Sequence, residues 1–579
     1  MDKMLDRPRL LAGALLVIIC TFAAYLPALR NGFVWDDDAH VTHNPMLRSL
    51  DGLRRSWLDL KANCQYYPLT FSLFHLEYTL WGLHPVGYHA VSVLLHACNA
   101  ILLWRVLRRI GVPGSWFAAL LFALHPIEVE SVAWITEQKN TLSGLLALAA
   151  LWFYLRFDPL DRQGAARSPA PRRWSSYGLS LGFFTLAILS KSAVGTLPGV
   201  LLVLHWWKRP RLTLRDLVPL VPFVVLAMTL ALNTARIESE FVDDCPADFA
   251  RTPLDRLIVA GRALWFYAGK LALPAHLAFI YQRWSVNPGE MLQWVPLLAA
   301  GLLVGALVLL RDRLGKAPLA AILCYGGVLF PALGFANIYF TRFSYVADHF
   351  QYHAGIALLA LFAALAAPRS GLSGRWALAV TVLMIAVLTL LGCLTWSRCL
   401  AYHDSASLWT DTLAKNPNAW MAHTNLANVL DARGDTREEL WHHRKRIELT
   451  PDDPLGYLNL GCALFRTGEV RPAIATFERG LHCPVLRTSE RAQLANNLGS
   501  AHFVQGELDQ AIAWFRQSIA YDPAYADAHS NLGGALCVRG RLEEAIAELK
   551  VTLRLNPRDV EARAILEGIR ATTPGDQAR

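Results

Sequence analysis

Charged residues are scarce in this chain of 579 residues, where they make up 17% while hydrophobic residues make up 54%. This balance excludes an ordinary soluble enzyme, in which about a quarter of the residues are charged. Together with 19 Trp and a mean hydropathy of +0.29, it predicts a protein that crosses a membrane many times. The net charge of +9 does not indicate a nucleic-acid partner, because the basic residues form no single basic face.

Paired cysteines are missing as well. The ten cysteines include no Cys-x-x-Cys motif, and no metal-ligand spacing stands out, which argues against a zinc or dithiol site. Cys64 and Cys245 both fall in predicted external loops, so a bridge between them stays open. His442 and His443 are adjacent on a predicted helix and are expected to be solvated.

Long apolar segments dominate the chain instead. The first, residues 10–29, is long enough at about 1.5 Å per residue to cross a hydrocarbon core of about 30 Å. Pro27 and Arg30 close it, and it is longer than the apolar core of a cleaved signal peptide, so it is interpreted as an anchor. Further spans are predicted at 88–107, 115–133, 141–155, 176–190, 192–207, 217–233, 291–310, 318–335, 353–367 and 375–396.

Basic clusters orient these spans. They fall in alternate loops, which by the positive-inside rule places the amino end in the cytoplasm and residues 36–38 outside. Segment 255–273 is apolar but is interrupted by Arg256, Arg262 and Lys270. Treating it as re-entrant or interfacial restores the charge rule, gives about eleven crossings and puts the carboxyl end outside.

From about residue 398 a repeat replaces the apolar spans. Leu-Ala or Leu-Gly pairs recur at steps of 34, 38 and 34, ending at Ala427, Gly461, Gly499 and Gly533. Glycines at the helix turns and prolines at the repeat ends keep the same register. This is the tetratricopeptide pattern, in which each helix pair covers the apolar face of its neighbour. The chain is therefore predicted to be all-α, with a polytopic membrane domain at 1–397 and a repeat domain at 398–579. The repeat domain should hold a partial leading repeat around Trp409 and about four full repeats.

Four polar groups lie at the predicted external face. They are Trp35 to Asp38, His125 to Asn140, Ser190 to Ser192, and Phe340 to Tyr352. Their convergence on one side favours a functional site, although charged residues are also common in ordinary external loops. The carboxylates could accept a proton, while Lys191, Arg342 and His349 could hold a phosphate.

The order of these motifs resembles one family. Phe33-Val-Trp-Asp-Asp37, Tyr67-Pro68, His125-Pro126, Ser190-Lys191 and Ala347-Asp-His-Phe350, followed by the repeats, are similar to the transmembrane and tetratricopeptide repeat-containing O-mannosyltransferases and their bacterial relatives. The resemblance implies a C-type glycosyltransferase fold. It also implies transfer of a sugar, with mannose suggested by the family name, from a polyprenyl-phosphate donor to Ser or Thr hydroxyls outside the cytoplasm. The repeats would bind the acceptor protein.

The family's acidic motif maps onto Asp36 and Asp37, which would be the catalytic carboxylates. Lys191, Arg342 and His349 would bind the donor phosphate. Further substrate contacts are expected from His125, Glu128, Glu130, Asp348 and Lys139. Tyr67 stands before Pro68 where relatives commonly have arginine, which leaves open whether another cation replaces it.

Several alternatives remain at this stage. No cofactor is certain, but Asp36, Asp37 and Asp38 could hold a divalent cation instead of supplying a base. A non-enzymatic, membrane-anchored repeat scaffold would explain the carboxyl-terminal part but not the clustered polar groups. A transporter would need polar residues near the midplane and often inverted repeats, which the sequence does not show. An Arg- and Ala-rich composition suggests a bacterial inner membrane.

Overall fold

A computed structural model of the chain describes residues 2–160, 172–243, 249–367 and 374–572. All regular elements in these ranges are helical, which confirms the all-α prediction for them. The chain divides into two compact units, residues 1–417 and residues 418–579. Cys245, one of the two cysteines considered for a bridge, lies outside the described residues.

The first unit contains long helices and short connecting ones. They are α1 (Asp2–Ala24), α2 (Leu50–Leu58), α3 (Pro68–Trp81), α4 (Pro85–Arg109), α5 (Ser115–Leu124), α6 (Val129–Ala133), α7 (Gln138–Phe157), α8 (Trp174–Ser190), α9 (Leu197–Lys208), α10 (Leu214–Leu217), α11 (Val221–Asp243), α12 (Pro253–Ala272), α13 (Val295–Leu309), α14 (Arg311–Leu314), α15 (Ala317–Leu329), α16 (Gly355–Ala366), α17 (Gly374–Leu400) and α18 (Ser405–Lys415).

The predicted count of about eleven crossings is not confirmed. Among the described residues, five helices are long and apolar enough to cross a membrane. They are Pro85–Arg109, Ile135–Phe157, Leu214–Ile237, Met291–Leu309 and Gly374–Leu400. A sixth span results if Ser115–Leu124 and Pro126–Ala133, bent by 51°, count as one. Other apolar segments form shorter helices, because breaks such as the extended residue Lys191 interrupt them.

Residues 255–272 of segment 255–273 lie within one unbroken helix, α12, and do not form a re-entrant hairpin. Thr252 caps its start by accepting a hydrogen bond from the Asp255 amide at 3.2 Å. Its cations turn toward backbone carbonyls, where Arg262 donates to Ser285 O at 3.0 Å and Lys270 donates to Ala275 O at 2.7 Å. These two of the cations that interrupt the segment thus have backbone partners, and its interfacial placement stays a prediction.

The second unit is a stack of helix pairs. The pairs are α19 (Trp420–Arg433) with α20 (Thr436–Leu449), α21 (Pro454–Arg466) with α22 (Val470–Leu481), α23 (Thr488–Val504) with α24 (Leu508–Tyr521), and α25 (Ala526–Val538) with α26 (Leu542–Leu555), followed by α27 (Val560–Thr572). The small residues of the repeat are needed where paired helices cross. A Cβ added to Gly461 would lie 2.3 Å from the Phe477 ring, and one added to Gly499 would lie 2.6 Å from the Phe515 ring.

Two details differ from the sequence-based description. Trp409, assigned to a leading partial repeat, lies in α18 and is buried in the first unit, which extends to residue 417. The expectation that His442 and His443 are solvated is wrong, because both are buried. His442 Nδ1 lies 2.8 Å from His423 Nδ1, since α20 packs this face against α19.

Candidate functional site

The loop that carries Asp36 is held in a strained conformation. Trp35 has a φ of +45°, a region that costs energy for a bulky side chain. Aromatic packing holds it there, because its ring stacks on Trp134 with centroids 5.4 Å apart and meets Phe279 edge-on at 5.2 Å. A backbone hydrogen bond of 2.8 Å from Gly32 N to His403 O fixes the base of the loop. The loop is thus built by residues far apart in the chain.

The turn at Trp35 gives the three aspartates different surroundings. Asp37 is buried, and its carboxylate is saturated: Oδ1 accepts hydrogen bonds from Thr136 N and Oγ1, each at 2.7 Å, and Oδ2 accepts from Val34 N at 2.8 Å. Asp38 is solvent-exposed and accepts a hydrogen bond from Thr42 Oγ1 at 2.8 Å. Asp37 therefore holds the loop against residue 136, and Asp38 belongs to the surface.

Asp36 differs from both neighbours. It is half-buried, and its carboxylate forms no hydrogen bond with the described residues. Burial raises the pKa of Asp36 to about 6, the positive charge of Lys139 opposes that rise, and the negative charge of Glu137 adds to it. Such a carboxylate is accessible and suited to accept a proton near neutral pH.

Two lysines, Lys139 and Lys191, lie beside Asp36 and are called the lysine pair. Glu137 bridges the two, with its Oε1 2.9 Å from Lys139 Nζ and its Oε2 2.9 Å from Lys191 Nζ. Asn140 and Gln65 complete the cluster, because Asn140 Nδ2 donates to Glu137 Oε2 at 2.7 Å and Lys139 Nζ donates to Gln65 Oε1 at 3.2 Å. Burial lowers the pKa of Lys191 to about 8, against the attraction of Glu137. Two cations and one anion leave one net positive charge in a buried site.

The other predicted phosphate ligands are placed differently. His349 is buried, with Nδ1 2.6 Å from Glu130 Oε1. Burial lowers the pKa of His349 to about 3, so its ring is neutral at pH 7 and contributes no positive charge to an anion site. Arg342 is half-buried at the end of the 3₁₀ helix Tyr339–Arg342, whose Thr341 accepts a hydrogen bond from Arg251 Nη2 at 2.8 Å.

The predicted substrate contacts have different surroundings, although Glu128 and Glu130 both interact electrostatically with Asp348. Lys139 lies in the lysine pair, whereas His125 caps a helix break: its Nδ1 accepts from Ile127 N at 3.3 Å, so Nε2 donates to Leu271 O at 3.1 Å. Asp348 accepts a hydrogen bond from Tyr281 OH at 2.8 Å. Glu128 is fully buried, and neither carboxylate oxygen has a hydrogen-bond partner among the described residues. These arrangements make His125 a structural residue and place Asp348 in a cluster with Tyr281.

The three aspartates are a poor match to a cation site. Asp37 already uses both oxygens for hydrogen bonds, and Asp38 is directed toward Thr42 and solvent. Within the described ranges no group of three or more His, Cys, Asp and Glu side chains could hold a metal ion. We therefore derive no chemical step through a cation.

Sequence reasoning missed the central role of Glu137 and Thr136. Both follow Trp134 in the polar run of residues 125–140, and Glu137 stands two residues before Lys139. That spacing does not bring two side chains together on a regular helix. Only the break before α7 allows Glu137 to bridge Lys139 and Lys191.

The helices of the first unit enclose an apolar cavity. Its volume is about 220 Å³, and its walls come from α4, α7, α9, α15 and α16. The lining includes Gly144, Val194 and His353, and His353 Nε2 lies 3.3 Å from Ser143 Oγ. Val194 is three residues from Lys191 along the chain, and His353 interacts electrostatically with Lys191 and Glu137.

The sequence is similar to those of known proteins. A model of the tetratricopeptide family, described as TPR repeat, matches residues 499–537. Over 78% of its length the chain is 26% identical to the protein O-mannosyl-transferase TMTC1 of Mus musculus, and over 89% of its length it is 24% identical to the protein O-mannosyl-transferase Tmtc3 of Drosophila melanogaster. The chain is thus similar to proteins named protein O-mannosyl-transferases.

The relatives are longer than this chain. The aligned regions cover 59% of the mouse protein and 64% of the fly protein, so the chain spans about three fifths of the relatives that it matches. Among solved structures, the crystal structure of MamA has a TM-score of 0.24 and 23% identity, with 26% of this chain and 87% of that chain covered.

Proposed function

We propose that this chain is a membrane glycosyltransferase that moves a sugar from a polyprenyl-phosphate donor to Ser or Thr hydroxyls of acceptor proteins, outside the cytoplasm. The observation that carries the proposal is the pairing of a half-buried carboxylate without hydrogen bonds, Asp36, with the buried lysine pair around Glu137. The names of the relatives support transfer of mannose.

In the proposed mechanism Asp36 is the general base. The acceptor hydroxyl attacks the anomeric carbon of the donor and passes its proton to an Asp36 oxygen. The bond between the anomeric carbon and the phosphate oxygen breaks, and its electron pair leaves with the phosphate. Asp37 positions this base, because its hydrogen bonds to Val34 and Thr136 hold the loop.

The lysine pair would stabilise the leaving group. A polyprenyl phosphate that carries a sugar has one negative charge, which matches the net charge of Lys139, Glu137 and Lys191 taken together. Charge increases on the phosphate as the bond breaks, so cations fixed beforehand lower the barrier. A phosphate leaves without protonation, so no second carboxylic acid is required, in contrast to glycosidases. Lys139 would then supply the cation that relatives carry before Pro68.

The apolar cavity supports a lipid-linked donor. An isoprenoid tail needs an apolar path that begins at the phosphate, and the cavity is lined by His353, which interacts electrostatically with Lys191. The repeats of the second unit would bind the acceptor protein. A divalent cation at Asp36, Asp37 and Asp38 stays a prediction that an assay with and without a chelator tests.

The test is transfer of labelled sugar from polyprenyl phosphate to a Ser-containing acceptor peptide in membranes that hold the full chain. Asp36→Asn removes the base and should lower the rate about 100-fold or more. Asp38→Asn is the matched control, because Asp38 is a solvated neighbour of the same chemistry, and its rate should stay within about twofold of the parent.

Full transfer by the Asp36→Asn variant would contradict the assignment of the base. Absence of transfer by the parent chain from any polyprenyl-phosphate sugar, with intact binding of proteins by its repeats, would favour the non-enzymatic scaffold instead.

A further inference from the structure

The carbonyl that ends helix α8 is bound by a residue from a distant part of the chain. α8 ends at Ser190, and the next residue, Lys191, is extended, with a φ of −160° and a ψ of 123°. The last carbonyls of a helix have no amide of their own helix to bind, so each needs another donor. Thr70 Oγ1 on α3 donates to Ser190 O at 2.9 Å, and both residues are buried. A contact across 120 positions of the chain thus closes the end of α8.

The hydroxyl of Thr70 is used differently from that of an ordinary helical threonine. A threonine within a helix commonly donates to the carbonyl four residues earlier, as Thr79 of α3 does with His75 O at 2.8 Å. Thr70 stands in the first turn of α3, which begins at Pro68, so no carbonyl of this helix lies four residues before it. Its hydroxyl is therefore available to bind α8.

A second contact from the start of α3 holds the residue on the other side of Lys191. Tyr67 OH and Ser192 Oγ lie 3.4 Å apart, at hydrogen-bond distance. Tyr67 precedes the first residue of α3 and is three positions before Thr70. One turn at the start of α3 thus contacts both neighbours of Lys191 in the chain.

Fixing the two neighbours restricts Lys191 itself. The Ser190 carbonyl and the Lys191 nitrogen belong to one planar peptide unit, so binding that carbonyl orients the backbone from which the lysine side chain starts. At the other end of the side chain, Lys191 Nζ lies 2.9 Å from Glu137 Oε2. A lysine loses rotamer freedom when it binds an anion, and a side chain that is fixed beforehand avoids much of this loss.

We propose that Thr70 is a positioning residue that holds the Lys191 ammonium in place for the donor phosphate by fixing the end of α8. It acts through Lys191 and not through contact with the donor. The inference rests on the proposed function in naming the phosphate that Lys191 binds, and it deepens that function by giving the start of α3 a role in it. In the proposed mechanism the acceptor meets Asp36, so Thr70 should affect use of the donor and leave the KM of the acceptor unchanged.

The first experiment measures sugar transfer by the full chain in membranes. Thr70→Val exchanges the hydroxyl for a methyl group and should lower kcat/KM for the donor about tenfold or more, with the KM of the acceptor peptide within about twofold of the parent. Thr70→Ser keeps the hydroxyl and should retain about half or more of the parent kcat/KM. Thr79→Val is the matched control, because it makes the same exchange on the same helix at a hydroxyl that donates to His75 O, and its kcat/KM should equal that of the parent.

A combined variant separates positioning from a general loss of structure. The ammonium is absent in Lys191→Met, so adding Thr70→Val to this variant should lower its residual rate by no more than about twofold. A further loss of about tenfold in the combined variant would overturn the proposal. An unchanged kcat/KM for the donor in Thr70→Val alone would overturn it as well.

The second experiment follows Lys191 without any transfer. The full chain in detergent is treated with N-hydroxysuccinimidyl acetate, and acetylation of each lysine is measured by mass spectrometry. Lys191 is buried in the parent, so loosening the end of α8 in Thr70→Val should speed its acetylation about fivefold or more. Lys316 is the internal reference, because it is half-buried in the same unit and donates to Trp206 O at 3.2 Å, and it should react at the parent rate.

The outcomes of the acetylation experiment separate the two proposals. Unchanged acetylation of Lys191 in Thr70→Val, or an equal increase at Lys316, would overturn the positioning role. Faster acetylation of Lys191 in Thr70→Val, together with no sugar transfer by the parent chain, would contradict the proposed function and leave the positioning role in place.

Discussion

At the scale of single residues, one strained loop gives two adjacent carboxylates of identical chemistry different surroundings. Asp37 faces inward, where burial raises its pKa to about 7 while hydrogen bonds from Val34 and Thr136 oppose the rise. Asp36 faces the lysine pair with its oxygens available. The sequence Trp-Asp-Asp-Asp marks the site but does not distinguish its members, because the difference arises from the positive φ of Trp35.

The pH dependence of transfer should report these groups. The base must be deprotonated, so kcat/KM should rise as the pH increases through about 6, the pKa of Asp36. Lys191 must be protonated to hold the phosphate, so activity should fall as the pH passes about 8. The profile is therefore expected to be a bell between these values.

Lys191→Arg provides the control for the pH profile. Arginine keeps its charge at high pH, so the alkaline fall should move upward while the acid rise stays in place. An acid rise near 7 would assign the base to Asp37 instead, and a flat profile would contradict both assignments.

At the scale of elements, the break between α5 and α6 shapes the first unit. Residues 115–133 are apolar almost throughout, so hydropathy predicts one straight span, yet the chain bends by 51° there. His125 stabilises the bend by accepting a hydrogen bond from Ile127 N, as a capping residue does. Val129–Ala133 then packs against the 3₁₀ helix Asp348–Gln351, which brings Glu130 to His349.

The repeat elements depend on close helix crossings, which gives a prediction on stability. In Gly461→Ala the new Cβ would lie 2.3 Å from the Phe477 ring, so the helices must separate. We expect a loss of about 1–3 kcal/mol in the free energy of unfolding of the repeats. Thermal unfolding of the full chain in detergent, followed by circular dichroism, measures it.

Gly534→Ala is the matched control on the first helix of the last pair. Its Cβ would meet only Ile565 Cδ1, at 4.0 Å, and alanine favours the helix by up to about 1 kcal/mol. The variant should be as stable as the parent or slightly more stable. Equal loss in both variants would argue against the crossing as the cause.

At the scale of the whole molecule, the amino-acid composition and the repeat period predict more of the structure than the spacing of individual polar residues does. The all-helical class and the repeats follow from hydropathy and from the period of Leu-Gly pairs, because those patterns reflect which faces are buried. The polar groups at residues 36, 139 and 191 do converge. The number of spans and the position of Asp348 were not predictable from the sequence. Both depend on helix breaks and tertiary contacts, which a hydropathy average over many residues does not detect.

The sidedness of the chain is testable with reporters fused after the last residue. An odd number of crossings, whether the five long helices or the predicted eleven, puts the two ends on opposite sides, whereas six would put them on the same side. With the amino end in the cytoplasm, we expect alkaline phosphatase fused to the carboxyl end to be active. Green fluorescent protein fused there in a separate chain should not fluoresce. The reverse result would contradict the external site and repeats.

The packing of Trp35 also sets the time at which the site can form during biosynthesis. Its ring contacts Trp134, Phe279 and Trp409, and Gly32 bonds to His403, so the loop near the amino end depends on residues made hundreds of positions later. A chain still emerging from the ribosome already contains these aspartates but lacks the groups that fix them. A product truncated before His403 lacks these contacts, so we expect the loop to reach this conformation only when nearly the whole first unit has been synthesised.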